Sequence, residues 1–69
     1  MNEEIIKILE ESDATPTVKI QAFTIAMEVS GNIAYRNASM AAGGQFLAML
    51  MELMKLLLPI LLELLKPKA

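Results

Sequence analysis

The spacing of apolar and polar residues predicts three helices and no strand. Near the start, Ile5, Ile6, Ile8 and Leu9 interleave with Glu3, Glu4, Lys7, Glu10 and Glu11, which predicts a short helix over about residues 2–12. Its acidic opening suits the positive end of a helix dipole. Ser12-Asp13-Ala14-Thr15-Pro16 then breaks the pattern. Thr15 reads as an N-cap and Pro16 as the first residue of the next helix, where its missing N–H removes no bond. That second helix is expected to run to about Ala42, roughly 40 Å at 1.5 Å per residue. Gly43-Gly44 is the strongest breaker in the chain and predicts a C-cap followed by a tight turn. A third helix follows over about residues 45–66, and Pro67 ends it. Pro59 lies inside it and is expected to kink it or loosen one turn. The fold class is therefore all-α: one domain over 1–69, with a short N-terminal helix and then a long helical hairpin turning at Gly43-Gly44.

The third helix carries an unusual proportion of apolar surface. Between Phe46 and Lys66 only Glu52, Lys55, Pro59, Glu63 and Lys66 are not apolar. At 100° per residue these five, with Gln45 and Ala48, fall in a stripe about 80° wide, whereas an ordinary surface helix has those proportions closer to reversed. A three-helix monomer covers about half of the remaining side chains. Leaving about eight in water, at roughly 1.5–3 kcal/mol each, would forgo more than about 10 kcal/mol, comparable with the whole stability of a small domain. Partner surface is required. The polar stripe is itself ordered, since Glu52 and Lys55 form an i,i+3 pair that Glu63 and Lys66 repeat eleven residues later. The pairs are read either as exposed helix pairs or as a polar seam facing a lumen or a neighbouring copy. As a lone membrane span the helix is marginal, because Glu52, Lys55 and Glu63 offset most of what its leucines gain.

The second helix has the opposite character. Ala22, Ala26, Ser30, Ala34, Ala38 and Ala42 form a ladder of small residues at four-residue spacing, with Gly31, Ser39 and Ala41 adding little bulk. Such a ladder lets another backbone approach closely, so it is read as a helix-packing surface. Glu28 and Arg36 are the only charges between Lys19 and Glu52, and they are candidates for buried polar residues that need each other or a neighbour. Asn37-Ala38-Ser39 matches a glycosylation sequon, but its mid-helix position makes chance the better reading.

Composition narrows the chemistry. Cys and His are both absent, which removes disulfides, zinc sites and nearly every nucleophile–base pair. A net charge of −2 with no basic stripe argues against direct nucleic-acid binding. The acids form no catalytic constellation, Gly43-Gly44 is too short to cradle phosphate, and the six methionines read as pliable packing. No enzyme activity is expected, and no catalytic residue, metal or cofactor, bound phospholipid aside. The acidic opening Met1-Asn2-Glu3-Glu4 does not read as a secretory signal.

The expected function is that of a self-assembling structural subunit of a helical filament or tube, its partners being itself and a lipid or membrane phase. Two apolar helices joined by a tight turn, over about residues 16–66, resemble in shape and composition the small two-helix pilins of conjugation-type and archaeal DNA-import pili. The resemblance implies assembly with phospholipid around a lumen and a place in a membrane or an extracellular filament. On similar grounds the chain resembles small helical coat proteins of filamentous or rod-shaped archaeal viruses. A membrane-embedded ring or channel subunit, and a soluble helical module that buries its leucines in another protein, are the remaining readings.

Overall fold

The computed structural model describes residues 3–37 and 44–67, and all its regular structure there is helical: α1 (Glu3–Glu11), α2 (Pro16–Arg36) and α3 (Gln45–Leu64). The molecule is elongated, with extents of 45 × 21 × 15 Å.

Local chemistry sets the starts of α2 and α3. Ahead of α2, the Ser12 hydroxyl accepts a hydrogen bond from the Ala14 N–H at 3.1 Å, and the Thr15 hydroxyl accepts from the Val18 N–H at 3.2 Å. Pro16 occupies the first turn of α2, so the only residue there without an N–H sits where none is needed. Gly44 precedes α3 with φ of +89°, a left-handed conformation that a Cβ would disfavour.

α2 ends at Arg36, short of the expected Ala42; residues 38–43, which include Ala38, Ala42 and Gly43, lie outside the described residues. At Asn37 the backbone leaves the helical region, with φ of −102° and ψ of 5°. Its N–H is shared between the carbonyls of Ile33 (3.3 Å), the regular helical partner, and Ala34 (3.2 Å), the tightening of a last helical turn, and its side-chain amide donates to the Ile33 carbonyl at 2.8 Å. α3 ends at Leu64, two residues short of the expectation, ahead of Pro67. It runs through Pro59 as one element: the ring removes a single N–H and, being exposed, does not intrude on the core.

The core lies between α2 and α3. On α2 the buried residues are Val18, Ala22, Ala26, Ser30 and Ala34; on α3 they are Met54, Leu58 and Leu62, again four apart. Small side chains on one helix thus face large ones on the other, which lets the axes come close while the leucines fill the space. α1 docks on α3 through Ile5, which is buried, with Ile8 and Leu9 packed against the same cluster. Two ion pairs fix the directions. Glu4 reaches Lys55 and Asp13 reaches Lys66, so α1 and α3 run the same way. Leu65 borders a depression with Ile20 and Gln21, so α2 starts where α3 ends and runs oppositely. Among the described residues no helix is long and apolar enough to cross a membrane.

Candidate assembly surfaces

Among the described residues, the small-residue ladder is spent inside the chain. Ala22, Ala26, Ser30 and Ala34 are fully buried, and the α2–α3 contact consumes this face. Gly31 is not part of it, since a Cβ built there would meet nothing within 4 Å. Ser30 is the exception to an otherwise apolar row: its hydroxyl is buried with no hydrogen-bond partner among the described residues. Leaving a buried hydroxyl unpaired costs about 1–3 kcal/mol.

The polar stripe of α3 forms two clusters against the N-terminal segment. Lys55 Nζ lies 2.8 Å from Glu52 and 3.5 Å from Glu4, while Lys66 Nζ lies 3.2 Å from Glu63 and 2.5 Å from Asp13. Both ammonium groups are partly covered and the carboxylates are largely in water. The hydrogen bond to Glu52, aided by the Glu4 charge, raises Lys55 above the ordinary lysine range against partial desolvation. Hydrogen bonds to Asp13 and then Glu63 do the same for Lys66, and the Lys66 contact holds Asp13 below the usual carboxylate range. The i,i+3 halves of these clusters are legible from spacing alone. Glu4 and Asp13 are not, because only docking of α1 brings them near; a run of acids facing two lysines on a neighbouring stripe was the available signal. Glu28 and Arg36, considered as buried polar residues, are both exposed in the single chain, because the face they occupy is turned from α3.

The large uncovered surface is apolar. Ile20, Met27, Ile33 and Tyr35 remain exposed on α2, and Phe46, Leu47, Leu56, Ile60 and Leu64 on α3. At 100° per residue Leu56 and Ile60 point within about 50° of the direction opposite Leu58, so α3 has an inner apolar face and an outer one. Ile20 and Thr24 line two adjoining shallow depressions of about 320 and 280 Å³, the first with Leu9, Lys19 and Phe23 and the second with Gln21, Ile25 and Leu65. Among the described residues no group of three acids is placed to hold a metal ion. No known protein family matches this chain, and neither a curated protein nor a solved structure is similar to it.

Proposed function

We propose that the chain is a non-enzymatic, self-assembling structural subunit of a helical filament or tube, built from an α2–α3 hairpin that turns at Gly43-Gly44. The observation that supports this reading is the apolar surface left in water on two helices at once. Leu56 and Leu64 on α3 keep 67% and 73% of their surface exposed, and Ile20 on α2 keeps 68%. Scattered apolar residues are ordinary on a protein surface, but rows on separate elements of so small a molecule are the mark of interaction sites. Two different sticky faces on one copy favour contacts that propagate over contacts that close. The pilin-like and viral-coat readings share this architecture, and lipid is a proposed companion in the first.

Negative-stain electron microscopy of the purified full chain, without detergent, tests the proposal. Regular fibres or tubes of constant diameter are the expected result. Closed rings obtained only in detergent, or a monodisperse single molecule at millimolar concentration, would refute it.

A further inference from the structure

The outer face of α3 has a finer pattern than exposure alone conveys. Phe46, Met49, Leu53, Leu56 and Ile60 recur at steps of three, four, three and four, the spacing with which one helix keeps contact along another. The row extends about 21 Å. Phe46, Leu56 and Ile60 are exposed and Met49 and Leu53 half-buried, and Leu64 continues the edge. Together they present on the order of 400–500 Å² of apolar surface, within the range of the largest patches on monomers, which are often functional. The half-buried neighbours Leu50 and Leu57 widen it toward the roughly 800 Å² per partner of a standard interface.

We infer that this row is a helix–helix interface for α3 of a second copy, packed antiparallel. The inference rests on the self-assembly reading and specifies its first contact. Charge selects the occupant. The row is bordered by Glu52 and Glu63, largely in water, while Lys55 and Lys66 turn toward α1. A helix lying on a lipid surface has the reverse arrangement, with Lys and Arg beside the apolar face. The row is also complementary to itself. About a two-fold axis between positions 54 and 55, Leu53 meets the second copy's Leu56 and Met49 meets its Ile60, while Phe46 lies opposite its Glu63 at each end. Glu63 selects the direction. It borders the row three residues after Ile60, so parallel helices in register would bring two Glu63 carboxylates side by side, whereas antiparallel ones hold them at opposite ends, each beside the second copy's Phe46.

Single-cysteine variants of the otherwise cysteine-free full chain test this directly. Met49→Cys mixed with Ile60→Cys should oxidise to a covalent dimer, and Met49→Cys alone should give at least tenfold less. A covalent dimer from Met49→Cys alone overturns the antiparallel pairing. Leu56→Glu with Ile60→Glu, both on the exposed face, should keep the helical circular dichroism of the parent and weaken self-association at least 100-fold in sedimentation. If the charged double variant associates as the parent does, the row is not the contact although self-assembly stands. If the parent is monomeric and binds phosphatidylcholine–phosphatidylglycerol vesicles through this row, lipid rather than a second copy is the occupant and the inference fails. A parent that neither associates nor binds vesicles removes the self-assembly reading itself.

Discussion

Ser30→Ala is expected to stabilise the fold, the reverse of what most core substitutions do. The serine side chain is fully buried in the ladder that α2 presents to α3, and its hydroxyl has no partner among the described residues. Replacing it keeps the Cβ and removes only the oxygen. The unpaired hydroxyl costs about 1–3 kcal/mol relative to water, and a few tenths more follow from the better helix propensity of alanine. Against this stands the loss of the oxygen's packing contacts, below about 1 kcal/mol for an atom that small. The net is a gain of about 1–2 kcal/mol, or a rise in Tm of roughly 4–16 °C for a domain of this size. The measurement is urea unfolding followed by circular dichroism at one fixed protein concentration. It is best made with Leu56→Glu and Ile60→Glu in the background, so that association does not enter the result. A loss of stability would refute the reasoning and mean that the hydroxyl is satisfied in solution. Ser30→Val serves as the control: it also removes the hydroxyl but adds bulk between close backbones, and should lose what Ser30→Ala gains.

The small-residue ladder and the Asp13–Lys66 contact supply two further expectations. Ala26→Leu inserts a branched side chain where Ala26 has no exposed surface, and should cost about 1–3 kcal/mol or more by forcing α3 away, read as a lowered urea midpoint. The Asp13–Lys66 contact should make stability pH-dependent at both ends. Asp13 is lowered in the folded state, so its contribution is present above its unfolded value and lost as pH falls through the folded one. Lys66 is raised, so its contribution is complete below the unfolded lysine value and lost as pH rises through the folded one. Between about pH 5 and 9 the contact should be intact. Melting curves at a series of pH values should show Asp13→Asn shallower than the parent on the acid side; an unchanged acid limb would mean that the pair forms no such link.

The helices themselves were legible before any tertiary contact was considered, because their signals are local. Thr15-Pro16 sets the start of α2 through one side-chain acceptor and one absent donor, and Gly44 marks the approach to α3 through a backbone conformation that favours glycine. The ladder was legible too, since residues four apart share a face whatever lies opposite. The end of α2 was not. The backbone turns out of the helix at Asn37, and an asparagine within an apolar-periodic stretch reads equally well as helix interior, which Asn32 of the same helix is.

Sequence alone also determined that α3 is apolar around most of its circumference, and that one copy has too little surface to cover it. It could not determine which part of that circumference would face inward. Periodicity points to a buried side only when the other side is polar, and here Leu56 and Leu58 are the same residue on nearly opposite faces, one 67% exposed and the other fully buried. Docking of α2 made that choice, because its small-residue row admits one line of large side chains and leaves the rest of the helix in water. Docking of α1 made the other, by bringing Glu4 and Asp13 to lysines from the far end of the chain. Local bonding chose the elements; shape and charge between elements chose the faces.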